Sequence, residues 1–278
     1  MPNFGYHLAR FHGNLVRRVY RALLPLIVRR GLSAPRAIDL EVFAYSNEGN
    51  LPEQVASIRS FLRHVGRPRK FTSVSDGSHR RRSLRLLERI DPIISVRQAE
   101  TAPQGLPEKL RRYLEHHPTG KQLALIMQLP HDGPALYIDS DVLFFAGAAN
   151  LVRELSHTKA AACYLPDCQF AGDERLLRNP SEKREPANTG VLLLFRQLDW
   201  SLGIARFLEL EGEPVFFTNQ TITHLTMHEN GARALDPASY VLQLDDQFVY
   251  ADGYAGGNLV LRHYVNPVRH KFWTSLNH

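Results

Sequence analysis

Residues 135–145 run Ala-Leu-Tyr-Ile-Asp-Ser-Asp-Val-Leu-Phe-Phe. A run of β-type residues stops at two carboxylates, Asp139 and Asp141, and then resumes. In a strand, side chains at i and i+2 point the same way, so the pair is expected to face one spot from one rigid element. Two like charges at the end of a buried strand are costly unless something positive sits beside them. A divalent cation, hard and oxygen-seeking, is the simplest such partner. An arbitrary Asp-x-Asp is more often a strand end and turn with solvated acids. The apolar frame on both sides, Leu136 to Ile138 and Val142 to Phe145, sets this instance apart.

Outward from that stretch the pattern is α/β. Upstream, Leu40 to Tyr45 reads as a strand, 52–65 as a helix with Val55, Ile58, Phe61, Leu62 and Val65 inward, and Phe71 to Ser75 as a strand. Ser75-Asp76-Gly77-Ser78 then marks a turn at a strand's carboxyl end, where open α/β sheets bind ligands. Asp76 is expected there either as a turn former or as a hydrogen-bond partner of a nucleobase or ribose. A basic amphipathic helix over 80–90, a strand over 93–96 and helices over 108–116 and 121–129 lead into the central strand. Downstream, the reading gives a helix over 147–156 and a strand over 161–165. Next come a long prolyl and charged segment, 166–187, with the length of a lid, and a buried strand over 191–195. Helices over 199–210 and 217–228 and short strands at 240–244, 247–250 and 259–264 complete the chain.

The chain has 278 residues, 44% hydrophobic and 22% charged, with a net charge of +6. This describes a globular protein with a sizeable core and a preference for polyanionic ligands, an acidic surface or a phosphorylated substrate. No zinc-finger spacing, RNP-like motif or basic-aromatic repeat occurs, so nucleic acid is not an expected partner. Two cysteines, Cys163 and Cys168, are too few for a zinc site or disulfide framework, which points to a reducing compartment.

Residues 1–38 stand apart as a basic arm: seven arginines and no acidic residue before Asp39. Leu15, Val16, Val19, Tyr20, Leu23 and Leu24 are spaced for one helix face. The apolar run Leu23 to Val28, broken by Pro25, is far short of the roughly 20 residues that span a bilayer. The arm either lies on an anionic membrane surface or packs on the domain as a basic helix.

Polar outcrops stand at strand ends and helix starts: Asp76, the Asp139/Asp141 pair, Asn188 and Asn219-Gln220. From the far C-terminus comes His263 with Arg269, His270 and Lys271. Neutral imidazole with two carboxylates is a workable set for Mn²⁺ or Mg²⁺. Arg269 and Lys271 suit a diphosphate, the first bidentate and the second as a point charge.

In order, these motifs resemble the metal-dependent GT-A glycosyltransferases, especially the retaining family that includes glycogenin and the bacterial lipopolysaccharide galactosyltransferases. The resemblance covers about 39–273. It implies a Rossmann-like α/β/α sandwich with a mixed, mostly parallel central sheet. It also implies a nucleotide-binding half over 39–145 and an acceptor-binding half over 146–278. By position it makes Asp139, Asp141 and His263 the cation ligands, with Asp139 also near the ribose. Lys121, Asp76, Arg269 and Lys271 become donor contacts, Asn188 the residue approaching donor or acceptor sugar, and Gln220 the residue near the anomeric carbon. Asn219 stands where the family has Asp, which removes a possible base, and the C-terminal segment lacks the family's glycine.

The activity implied is transfer of a hexose from a nucleoside-diphosphate sugar, by family habit a UDP-sugar, to a hydroxyl acceptor such as a glycan. It is expected in the cytoplasm, including the inner face of a membrane. Retention needs no protein base, because the leaving phosphate can take the acceptor proton. Inversion needs a carboxylate, for which Asp245, Asp246 and Asp252 are the places to look. The alternatives are a non-catalytic nucleotide-sugar-binding relative, which Asn219 favours, and a membrane-surface interaction module. Aspartyl-phosphate phosphatases also end a strand in Asp-x-Asp, but Leu143 occupies the place of their hydroxyl residue. Nucleotidyltransferases open on a glycine-rich basic loop that Ser46 to Asn50 does not supply.

Overall fold

The computed structural model describes residues 3–33, 36–99, 102–130, 132–151 and 159–276. A first helix, α1 (Phe4–Ile27), is followed by β1 (Ala37–Ser46), α2 (Leu51–His64), β2 (Arg67–Ser75), α3 (Arg81–Glu88) and β3 (Ile94–Gln98). Next come α4 (Glu108–His116), α5 (Pro118–Met127), β4 (Ala135–Asp139) and β5 (Val142–Phe144). The second half contains β6 (Ala162–Pro166), β7 (Ala187–Leu194), α6 (Ser201–Glu209), α7 (Thr218–Glu229), β8 (Arg233–Ala234), β9 (Tyr240–Val241), β10 (Leu261–His263) and α8 (Arg269–Phe272).

Period-two alternation makes the main sheet apolar on both sides. Leu40, Val42, Ala44, Leu136, Ile138, Val191 and Leu193 pack with Val55, Ile58, Phe61, Leu62, Leu86 and Leu87, the inner faces of α2 and α3. Phe43, Ala135, Tyr137, Leu192 and Leu194 turn to the opposite side, against Leu125 and Ile126 of α5 and Met227 of α7. Helices on both faces give the expected α/β/α sandwich. The strand order is β3-β2-β1-β4-β7-β6-β8. Strands β3, β2, β1 and β4 are parallel, β7 is antiparallel to both its neighbours, and β8 runs parallel to β6. The sheet is therefore mixed and mostly parallel.

Residues 135–145 hold two strands rather than one. β4 ends at Asp139, residues 140–141 form a turn, and β5 leaves for a second sheet of order β5-β10-β9. Asp139 and Asp141 thus do not share one strand face; they converge across a tight turn. The segment 166–187 holds two 3-10 turns, Glu174–Leu176 and Pro180–Lys183. It is tied down: Thr221 Oγ1 accepts from the Asp173 N–H (2.7 Å), Thr218 Oγ1 donates to Asp173 (2.8 Å), and Glu182 pairs with the buried Arg206 (2.9 Å). Residues 247–250 are turn and bend instead of strand, and the Val249 carbonyl finds its partner in the Lys271 ammonium. Of the helix expected at 147–156, residues Ala146–Asn150 form a 3-10 turn, and 152–158 lie outside the described residues.

Helix α1 docks on α2 and α8, with Val16, Tyr20, Leu24 and Ile27 packed against the core. Ala9, Gly13 and Leu24 are buried, and the six residues expected on one helix face divide: Val16, Tyr20 and Leu24 turn inward, whereas Leu15, Val19 and Leu23 are exposed. A Cβ at Gly13 would lie 2.2 Å from the His270 carbonyl oxygen, so glycine permits the two helices to touch backbone to backbone. Arg17 pairs with the buried Glu53 of α2 (2.5 Å), whose carboxylate also takes the Trp273 N–H (3.2 Å).

Candidate active site

Asp139 sits at the last position of β4 with its Oδ1 already engaged. Tyr137, two residues back on the same face, donates to it at 2.7 Å, and Gln122 Nε2 of α5 donates at 2.9 Å. Gln122 Oε1 in turn accepts from Asn219 Nδ2 of α7 (2.9 Å). Asn219 therefore orients the residue that orients Asp139. Across the turn, Asp141 accepts from His263 Nε2 at 3.1 Å and pairs with Arg269.

His263 reaches the turn because β10 pairs antiparallel with β5, in a register that sets His263 opposite Val142. Its tautomer follows from its neighbours. Asn188 Nδ2 donates to Asp167 (2.9 Å) and to Gln220 Oε1 (3.4 Å), and Asn188 Oδ1 accepts the Gly190 N–H (2.8 Å). That oxygen faces His263 Nδ1 at 3.0 Å, so Nδ1 carries a proton and Nε2 is the nitrogen turned toward the carboxylates. A Cβ at Gly190 would lie 2.2 Å from His263 Cε1; the glycine of Asn-Thr-Gly is there to admit the ring.

The electrostatics are those of a crowded anionic spot. Burial raises Asp139 to about 6, with Asp141 adding to the rise and His263 opposing it. Burial also works to raise Asp141, but His263 and Arg269 outweigh it and hold it at about 2. Burial disfavours the His263 imidazolium, yet the two carboxylates prevail and its pKa lies above the ordinary value. One oxygen each from Asp139 and Asp141 and one nitrogen from His263 lie within 4.8 Å of one another. Two carboxylates with an imidazole that offers Nε2 and is fixed from behind by Asn188 fit a hard divalent cation, which would take the place of the Nε2 proton.

These groups open onto a cavity of about 280 Å³. Asn188, Gln220 and Asp167 line it too, and Gln220 Nε2 donates to Asp167 at 3.2 Å. The remaining expected residues divide. Arg269 lines the cavity. Lys121, on α5, points to the carboxyl end of β2, its ammonium 3.4 Å from the Asp76 carbonyl. Asp76 Oδ1 accepts the Ser78 N–H (2.8 Å) and hydroxyl (2.6 Å), and so closes its own turn. Lys271 departs from expectation: it is fully buried, donates to the Val249 and Ala251 carbonyls, and pairs with Asp246 at 3.4 Å. Its charge belongs to the C-terminal scaffold rather than to a diphosphate. The carboxylates considered for an inverting base are likewise engaged elsewhere. Asp246 and Asp252 hold the buried Arg262, and Asp245 accepts from Tyr254 (2.8 Å). Gln122 and Asp167 escape a sequence reading, because neither stands in a motif; each acquires its role only through what packs against it.

No protein-family model matches the chain, and no curated protein matches it in sequence. Solved structures do match its fold. The WbbM bifunctional glycosyltransferase superposes with a TM-score of 0.55 at 15% identity, over 86% of this chain and 48% of that one. The chain thus spans about half the length of that protein. The galactosyltransferase LgtC, solved with donor and acceptor sugar analogues, gives 0.54 at 12% identity over 85% and 94% of the two chains. Mouse xyloside xylosyltransferase 1 gives 0.53 at 15% over 84% and 99%. The two-sided mixed sheet, with its carboxylates at the end of the central parallel strand, is the GT-A fold of these glycosyltransferases.

Proposed function

We propose that the protein is a metal-dependent hexosyltransferase that moves a sugar from a nucleoside-diphosphate donor, a UDP-sugar, to a hydroxyl acceptor such as a glycan, with retention of configuration. The observation that carries this reading is the Asp139–Asp141–His263 cluster in a cavity also lined by Asn188, Gln220 and Asp167. Asp139, Asp141 and His263 would hold Mn²⁺ or Mg²⁺, and the bound cation supplies positive charge against the growing charge of the leaving diphosphate. Arg269 adds a second positive group on the same side, fixed by Asp141 before the donor arrives. The bond from the anomeric carbon to the β-phosphate oxygen breaks, the acceptor oxygen bonds to that carbon, and the acceptor proton passes to the leaving phosphate. Gln220 and Asn188 present amides to the sugar, while Asn219 acts through Gln122 as a positioning residue for Asp139. Lys121 and Asp76 border the nucleotide side at the β2 end. That Asp245, Asp246 and Asp252 are occupied elsewhere favours retention over inversion. The reading places the enzyme in the cytoplasm, with residues 1–38 against the inner face of a membrane.

The test is a panel of nucleotide sugars with and without Mn²⁺, read as release of nucleoside diphosphate and as product anomeric configuration. Turnover should require the cation and fall by about 100-fold or more in Asp141→Asn. No turnover with any donor, together with no binding of UDP in Mn²⁺, would overturn the assignment.

A further inference from the structure

Helix α1 is apolar on two sides, one docked on the domain and one facing away from it. A helix docked on a globular domain normally buries its apolar stripe. Here the body of the protein takes Ala9, Gly13, Val16, Tyr20 and Leu24, while a second set, Phe4, Leu8, Phe11, Leu15, Val19 and Leu26, forms a stripe open to solvent, Phe4 at 78% and Phe11 at 68% exposure. The spacing of those six keeps them on one side along the helix, which is about 36 Å long at 1.5 Å per residue. A second apolar element lies against α1. Tyr6 meets the Phe248 ring edge-on at 5.7 Å and His12 stacks on Tyr250 at 6.1 Å, so the exposed Phe248, Val249 and Tyr250 pack alongside the N-terminal half of the helix.

We infer that the outer face of α1, extended by residues 248–250, is a docking surface for an anionic lipid bilayer. Charge selects this occupant. Arg10, Arg18 and Arg21 are exposed on α1, Arg18 at the edge of the stripe and Arg10 toward the cleft against α8, and residues 1–38 contain no acid. A second copy of the chain packed stripe to stripe would bring together two arginine-bearing helices with no acid in either to neutralise them. A layer of phosphate head groups supplies both the apolar depth and the opposite charge. No described helix is long and apolar enough to cross a membrane, so the contact lies in the plane of the interface. The surface also has a direction. α8 carries α1 on His270 and lends Arg269 to the active-site cavity. A polar cleft of about 360 Å³, lined by Tyr6, Arg10 and Arg17 on one side and Pro267 and Arg269 on the other, runs between them. A head group held at Arg10 therefore lies one helix away from the proposed transfer site.

The experiment is co-sedimentation of the full chain with phosphatidylcholine vesicles, with and without phosphatidylglycerol. The variants are Phe11→Glu/Leu15→Glu, Phe248→Glu, and Arg10→Glu/Arg18→Glu. All of these positions are exposed, so the fold should be retained, which circular dichroism checks. Binding is expected to anionic vesicles, weakening with salt, and to fall at least tenfold in each variant. Equal binding of wild type and variants, no binding to anionic vesicles, or equal binding to neutral ones overturns it. So does a wild-type dimer that the Phe11→Glu/Leu15→Glu variant converts to monomer. Docking does not depend on glycosyl transfer: UDP binding in Mn²⁺, read on the same samples, should be unchanged by the variants, so either reading can fail without the other.

Discussion

The His263 ring is fixed from three sides: the Asn188 oxygen on Nδ1, Asp141 on Nε2, and Gly190 leaving room beneath Cε1. The Asn188 amide is itself fixed, because its nitrogen has only acceptors to face. Asn188→Ala should therefore leave the fold intact and weaken Mn²⁺ affinity by about 10–100-fold, the usual effect of removing a ligand's outer support. Titration of UDP binding against Mn²⁺ measures this, and an unchanged metal dependence would count against the role. Lys271 and Arg269 make the opposite pair. Lys271→Ala leaves Asp246 paired with Arg262 but takes the donor from the Val249 and Ala251 carbonyls, and should cost roughly 1–3 kcal/mol of stability. Its UDP affinity at a permissive temperature should match wild type, whereas Arg269→Ala should lose affinity and keep its melting temperature nearer to wild type. Loss of nucleotide affinity in folded Lys271→Ala would return Lys271 to the diphosphate.

Among the elements, α1 and α8 are held together at His270. Burial lowers its pKa from 6.5 to about 4; Lys271, Arg10 and Arg262 push the same way and Asp246 opposes them. The Tyr6 ring meets the imidazole edge-on at 5.5 Å. Because the folded pKa is depressed, the neutral ring's contribution is complete above pH 6.5 and is lost as pH falls toward 4. Melting temperature should drop across that window, and His270→Asn should flatten the decline. Parallel curves for the two proteins would show that another group carries the acid sensitivity.

For the whole molecule, the arm is not detachable. Leu24 and Val28 belong to the same core as Leu40, Phe61 and Phe144, and Arg17 neutralises the buried Glu53. Removing residues 1–33 should expose that core and leave Glu53 unpaired, at a cost of about 5 kcal/mol or more. Thermal melts of the truncated chain check this; an unchanged melt would make the arm an accessory. Membrane binding is therefore better tested by exposed point changes than by truncation.

Most of the elements were legible from local pattern. Apolar β-type runs marked β1, β2 and β4, the 3.6-residue period marked α2, Asp139 and Asp141 stood out as carboxylates interrupting an apolar run, and His263 stood out among the cations of the C-terminal segment and by the resemblance. These signals are local because each reflects a side chain's own preference for core or ligand. What the residues do to one another was not local. The turn at 140–141, the passage of β5 into a second sheet, the burial of Lys271 and the enlistment of Gln122 and Asp167 all depend on contacts between distant segments. α1 shows the division most clearly. Its sequence determined an amphipathic basic helix, but which face points inward was decided by Gly13 meeting the His270 backbone. With that close approach the helix turns Val16, Tyr20 and Leu24 toward the core and leaves the second apolar stripe, from Phe4 to Leu26, facing out.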